Sequence, residues 1–307
     1  MEHPDDLLEA YAFGDAPEAG PHVAACPQCA AQVELAREAA GWLAVSHVAS
    51  PPSGLRSRIL AAAVTVRAPS CGADSFAYAS TVAGLGTLLD SLSPAQWAAP
   101  TVDGRSVDAL VRHLAGNDGN VLADLGAVVP AARRSADLWH AQSDLLLRTA
   151  GQAGDELLAR PVRMAGKVPA RRPLREALTQ RAFETWIHQD DIRAAVALPR
   201  VAPPAGHLAR ILRFGLALLP GALDAAGRGR PGSILLALSG PGGADHVVAL
   251  SARAGSEPCL AEVAMPADRF GRLMAGRVPV TASVGAFTGD RTVALEVLTV
   301  AATLGCE

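Results

Sequence analysis

Arg181-Ala182-Phe183-Glu184-Thr185-Trp186-Ile187-His188-Gln189-Asp190-Asp191-Ile192-Arg193 is the stretch on which the reading of this chain turns. Its apolar spacing predicts a helix over about 173–197, with a carboxylate (Glu184) and an imidazole (His188) four residues apart and so on one face. Working back from it, helical patterns run over roughly 75–92, 106–128 and 131–150, punctuated by Ser93-Pro94 and the Pro/Asp/Gly stretch 100–104. Four long helices with apolar faces and uneven connections predict a four-helix bundle. His113 falls in the second of them, within Val107-Asp108-Ala109-Leu110-Val111-Arg112-His113-Leu114. Bundles build metal sites from side chains of facing helices, and two imidazoles plus one carboxylate leave a coordination position open, the pattern of catalytic rather than structural zinc. Asp191 either supports such a ligand from behind or is solvated. On spacing alone the plainer reading, an i, i+4 Glu–His pair and an unrelated buried histidine, stands ahead, because such pairs are common on helices.

Beyond the bundle the texture changes. A helix over 203–225 is followed by short strands at 233–239, 246–252 and 259–264, with Gly240-Pro241-Gly242-Gly243 as a hairpin connection, and helices return at 266–275 and 290–304. Before the bundle, residues 1–67 carry eight acids against four bases and predict three helices, 5–13, 20–45 and 53–66, the last with Ser53 as N-cap; 68–72 reads as a linker. The fold class is therefore multidomain: a small all-α domain at 1–67, a four-helix bundle at 68–200 and a small α+β domain at 201–307.

Apolar residues make up 50% of the 307 positions and charged residues 19%, which excludes a disordered protein. A net charge of −3 argues against a dedicated nucleic-acid binder, and no uninterrupted apolar run reaches the ~18 residues of a membrane span. With an acidic start, Met1-Glu2-His3-Pro4-Asp5-Asp6, no signal peptide is visible and a cytoplasmic location is expected. Arg163, Lys167, Arg171, Arg172 and Arg175 read as a solvated loop rather than an anion site.

His22-x3-Cys26-x2-Cys29 places three good zinc ligands within eight residues, and His3 completes four if the first helix returns antiparallel. A metal would hold a region too small for a large core. The alternative is a free or redox-active CxxC pair with His22 merely nearby.

Two resemblances follow. Residues 1–67 resemble the zinc-binding anti-sigma domain of bacterial regulators, through His3, Ala10-Tyr11-Ala12-Phe13-Gly14, His22, Cys26, Cys29 and the segment Pro51-Pro52-Ser53-Gly54-Leu55-Arg56-Ser57-Arg58-Ile59-Leu60. That resemblance implies a structural or redox zinc on His3, His22, Cys26 and Cys29, and an extracytoplasmic-function sigma factor as partner. Residues 75–197 resemble the metal-binding domain of mycothiol-dependent maleylpyruvate isomerases, a DinB-like bundle, through Trp97, Pro100, the Val107–Leu114 motif and the Arg181–Arg193 motif; Arg105 stands where that family usually has tryptophan. The third region resembles that family's C-terminal domain through Asp268–Arg277 and Gly289-Asp290. This implies a second zinc on His113, Glu184 and His188, with mycothiol filling the open position and attacking a small electrophile. Two functions are thus expected: a zinc anti-sigma factor with a thiol- or ligand-responsive module, which is favoured because the N-terminal match includes both ligands and docking helix, or a mycothiol-dependent isomerase or transferase carrying a regulatory zinc domain.

Overall fold

The computed structural model describes residues 3–43, 52, 54–66, 69, 71–129, 132–166, 170–283 and 286–305. The chain divides into two compact units, residues 1–68 and 69–307.

In the first unit, α1 (Asp5–Ala12), a 3-10 turn (Pro17–Ala19), α2 (Gly20–Ala25), α3 (Pro27–Leu43) and α4 (Leu55–Val66) follow one another. The single helix expected over 20–45 is broken at Cys26, which is extended (φ −117°, ψ 108°). The cause is Pro27: its ring disfavours the α conformation at the residue before it, while Pro itself suits the first position of a new helix. Ser53, the expected N-cap of α4, lies outside the described residues, as do 44 and 45. Leu8, Cys29 and Val33 form the buried cluster here, ringed by Tyr11, Ala12, Val23 and Cys26. Three such side chains contribute about 2 kcal/mol each, while ordering each residue of the unit costs ~1–2 kcal/mol. So thin a core needs a further staple.

The second unit opens with α5 (Phe76–Asp90), α6 (Pro94–Trp97), α7 (Val107–Asp124), α8 (Ser135–Gly151), α9 (Asp155–Ala159), the hairpin β1 (Pro161–Arg163) and β2 (Arg171–Pro173), and α10 (Leu174–Ala195). Ser93 caps α6 in a reciprocal box with Gln96, and Ser106 caps α7 through the Ala109 N–H, so both helices start where their side-chain acceptors dictate. The basic stretch expected as a loop holds the β1–β2 hairpin instead, and Lys167 lies outside the described residues. No apolar alternation announced it, because Arg163 and Arg171 fasten it to Asp124 of α7 by charge.

After α10 come α11 (Ala205–Ala225), β3 (Ser233–Ser239), β4 (Asp245–Ala249), β5 (Cys259–Pro266), α12 (Ala267–Met274), α13 (Val280–Ser283), β6 (Ala286–Gly289) and α14 (Arg291–Ala301). The sheet runs β4-β3-β5-β6, with β3 and β5 parallel and the outer pairs antiparallel. β6, a strand of four residues, was not foreseen. One apolar core passes without interruption from Tyr78 and Trp186 of the bundle to Leu212, Phe270 and Val297 beyond it. Gly271 makes that approach possible: a Cβ there would come within 2.7 Å of the Trp186 ring.

α10 is the axis of this unit. It is buried on every side from Thr179 to Ile192, yet those positions include Gln180, Arg181, Glu184, His188, Asp190 and Asp191. A helix buried all round is ordinarily apolar. Polar groups so placed must find partners, or each costs ~1–3 kcal/mol and charged ones more. Where those partners lie defines the site.

Candidate functional site

Two histidine-bearing constellations stand in the molecule, one in each unit. In the first, α1 brings His3 against the α2–α3 break, where His22 and Cys26 meet Cys29. His3 Nδ1 lies 3.1 Å from Cys29 Sγ and 3.8 Å from Cys26 Sγ, and His22 Nε2 lies 3.3 Å from Cys29 Sγ. All four ligand atoms fall within 4.8 Å of one another. With Zn–S near 2.3 Å and Zn–N near 2.0 Å, a tetrahedron sets its corners roughly 3.3–3.8 Å apart, so the spacing and the donor set fit zinc. The pinch at Cys26 matters here: its N–H still reaches the His22 carbonyl at 2.9 Å, but its extended backbone turns the chain so that α3 can deliver Cys29. The backbone N–H of Cys29 also draws the Cys26 thiol below its ordinary pKa, favouring the ligating thiolate.

In the second, His113 on α7 faces His188 on α10, their rings edge to face at a centroid distance of 5.4 Å. Glu184 lies one turn before His188, and both are buried, whereas His113 is half-buried. Asn117, one turn after His113, sits between the two helices: its amide nitrogen is 3.3 Å from His113 Nε2 and donates to Glu184 Oε2 at 3.0 Å. Two acceptors therefore aim at one electropositive point, which is the arrangement a cation requires. The three groups are less tightly gathered than the N-terminal four, which among the described residues are the group that meets the 4.8 Å spacing.

His188 and Glu184 are each held from behind. His188 Nδ1 pairs with Asp191 Oδ2 at 3.0 Å, and Arg277 grips the same carboxylate through Nε at 3.0 Å and Nη2 at 2.9 Å. Asp191 is thus a buried orienting group rather than a solvated one, and it engages Nδ1 of His188, leaving Nε2 outside that pairing. Desolvation pushes the Asp191 carboxyl up, but the hydrogen bonds from His188 and Arg277 outweigh it and its pKa ends below the usual value. Glu184 is bonded by Arg181 Nη2, while Arg181 Nε donates to Asp118 at 2.9 Å and Asp118 accepts from the Tyr78 hydroxyl at 2.7 Å. Burial lifts the Asp118 carboxyl to about 6, opposed by Arg181 and Tyr78, so it remains ionised at neutral pH. Burial lowers the His113 imidazole to about 4, which keeps it neutral, the form able to ligate. Asp190, next in sequence, turns to Arg272 at 2.8 Å.

Sequence reasoning missed Asn117, Asp118 and Tyr78 and gave Arg181 and Arg277 no role. Asn117 carried a signal, since it lies at i+4 from His113; the others are brought in by tertiary packing alone. Cys71 is half-buried against the core and Cys259 is exposed at the start of β5, while Cys306 and His47 lie outside the described residues. None of these joins either constellation among the described residues. No helix is long and apolar enough to cross a membrane.

No protein-family model and no curated protein sequence matches the chain. Two solved structures align with it: the mycothiol-dependent maleylpyruvate isomerase (TM-score 0.40) and a histidine-to-alanine mutant of that enzyme (TM-score 0.43). Each is 19% identical and covers 67% of this chain and 88% of its own. At this level of similarity the function has to be argued from the side chains.

Proposed function

We propose that residues 69–307 are a metal-dependent module that uses an exogenous low-molecular-weight thiol, with His113, Glu184 and His188 as ligands, and that residues 1–68 are a zinc-held unit fused to it. The observation that supports the proposal is that His113 Nε2 and Glu184 Oε2 both lie within 3.3 Å of the Asn117 amide nitrogen, with the His188 ring 5.4 Å from that of His113. The thiol is mycothiol and the second substrate a small electrophile, on the strength of the Val107–Leu114 and Arg181–Arg193 motifs. A divalent cation held by these three groups would supply Lewis acidity that keeps a thiol ionised at neutral pH. The chain's own part is orientation: Asp191 and Arg277 fix the His188 ring, and Arg181 and Asn117 hold the Glu184 carboxylate. Buried among apolar side chains, these charges keep their geometry without competition from water.

The purified chain should carry two metal ions, measured by elemental analysis. His188→Ala should lose one of them and abolish mycothiol-dependent isomerisation of maleylpyruvate. Undiminished turnover in that variant would refute the assignment.

A second reading concerns the N-terminal unit, and one observation favours it. Leu35 and Trp42 of α3 and Ile59 and Leu60 of α4 are all exposed, Trp42 at 79%. Contiguous apolar surface marks protein contacts, and α3 and α4 each present a pair of large apolar side chains to solvent. The partner proposed is an extracytoplasmic-function sigma factor. Trp42→Ala should abolish its capture while leaving the melting temperature of the unit within about 2–4 °C, since surface substitutions change stability by less than ~0.5 kcal/mol; capture by neither protein would remove this reading.

A further inference from the structure

Asn117 lies on α7 one turn after His113, and its amide nitrogen is 3.3 Å from His113 Nε2 and 3.0 Å from Glu184 Oε2. The nitrogen end of the amide is the one that fits there. Its oxygen, turned the same way, would face a carboxylate that Arg181 already bonds. An amide nitrogen donates and does not accept, so His113 Nε2 meets it as the acceptor. That fixes the tautomer: the ring proton sits on Nδ1, and the Nε2 lone pair points at Asn117. Burial keeps the His113 ring neutral, as this arrangement needs. An imidazole nitrogen has one lone pair, and it is the pair that a metal takes. A carboxylate oxygen has two.

We propose that Asn117 is an internal competitor for the cation: it engages the His113 lone pair in the metal-free protein, gives it up on loading, and so sets how tightly the site holds an ion. The inference rests on the reading of His113, Glu184 and His188 as metal ligands. At His113 the competition is all or none, because Nε2 serves Asn117 or the ion and never both. At Glu184 the amide can stay on the carboxylate through the second lone pair. Loading therefore breaks one hydrogen bond, which at 3.3 Å is a long one. Asn117 and Asp191 act in opposite senses. Asp191 pairs with Nδ1 of His188, away from Nε2, and favours the loaded form. Asn117 bonds a nitrogen that must ligate and favours the metal-free form. Removing its donor should destabilise only the metal-free form, and a ligand shifts an equilibrium by its differential affinity for the two states. Affinity should accordingly rise by the worth of one hydrogen bond, roughly fivefold.

The test is a cobalt(II) titration of full-length protein, followed by the absorption of bound cobalt. The protein is first stripped of metal and given one equivalent of zinc, which the two thiolates of the N-terminal unit take. His188→Ala supplies the baseline without the second site. Asn117→Leu, which nearly keeps the volume and removes the donor, should bind cobalt roughly fivefold more tightly than the unaltered protein. Asn117→Ala should shift the same way by less, because water can enter the space and bond Nε2 in its turn. In both variants the gap in melting temperature between stripped and loaded protein should widen. Cobalt binding that appears only in the Asn117 variants would also bear the proposal out. Affinity unchanged or weakened in both variants, with the unaltered protein above the His188→Ala baseline, would overturn it and leave the metal reading standing. Unaltered protein and both Asn117 variants all lying on that baseline would overturn the metal reading and this inference with it.

Discussion

In the N-terminal unit two of the candidate ligands, Cys26 and Cys29, belong to the core, while His3 is exposed. Cys29 is itself one of three buried apolar side chains, and Cys26 packs against them. In the second unit His113, Glu184 and His188 hang on helices whose packing is complete without them, since separate apolar clusters run along both sides of α10. The same residue types are thus placed by opposite means. Where the core is thin, proximity in sequence gathers the candidate ligands, and a metal bound there would supply stability the core lacks. Where the core is thick, the candidate ligands come from positions 113, 184 and 188, and stability is available to bury polar groups.

The contrast breaks or sharpens under mutation. The largest effect is expected from Cys29→Ser or chelation: structural zinc contributes ~10–16 kcal/mol to folding. Amide exchange in residues 3–43 should become fully unprotected while residues 71–305 keep their protection; retained protection in the N-terminal unit would mean its core suffices without metal. Next comes Arg181→Leu, which strands Asp118 and Glu184 in the interior and should cost about 3–5 kcal/mol by denaturant titration of the second unit. A loss below ~1 kcal/mol would show that the pair is not the buried ionic one described.

A smaller effect is expected of Asp191→Asn, which keeps the volume but weakens the hold on His188. Its metal affinity should fall 10–100-fold, with a loss of stability smaller than that of Arg181→Leu because the asparagine keeps an acceptor for Arg277. The smallest concerns pH. His113 has its folded-state value depressed to about 4 from an ordinary 6.5, so its contribution is present above pH 6.5 and is lost as pH falls toward 4. The raised Asp118 acts in the opposite sense, favouring the folded state less as pH rises from 3.8 to 6. His113→Gln should therefore flatten the acid side of the stability profile of metal-free protein. An unchanged acid limb would place the imidazole in water.

Legibility in the sequence followed locality. His22-x3-Cys26-x2-Cys29 could be read because all three lie within eight residues, and the structure gathers them with His3. The long helices of the second unit could be read because their apolar periodicity spans several turns. The break at Cys26 was legible too, in the Cys26-Pro27 pair, and was passed over. What escaped were features made by charge and by distance: the β1–β2 hairpin held by two arginines on Asp124, and the chain Tyr78–Asp118–Arg181–Glu184, whose members lie up to 106 positions apart. No local pattern encodes a partner that only tertiary packing supplies.

Asp190 and Asp191 are adjacent on α10, yet each is answered by an arginine more than eighty positions later, Arg272 and Arg277. Any shortened version ending near residue 200 would lose both guanidiniums and bare to water the apolar face of α10 that α11 and α12 cover. Expression trials that treat 69–200 as a stand-alone piece should give insoluble material, whereas 69–307 should be soluble. Evolution faces the same arithmetic: the sheet-bearing third of this molecule cannot be swapped for another unless its replacement brings both guanidiniums along.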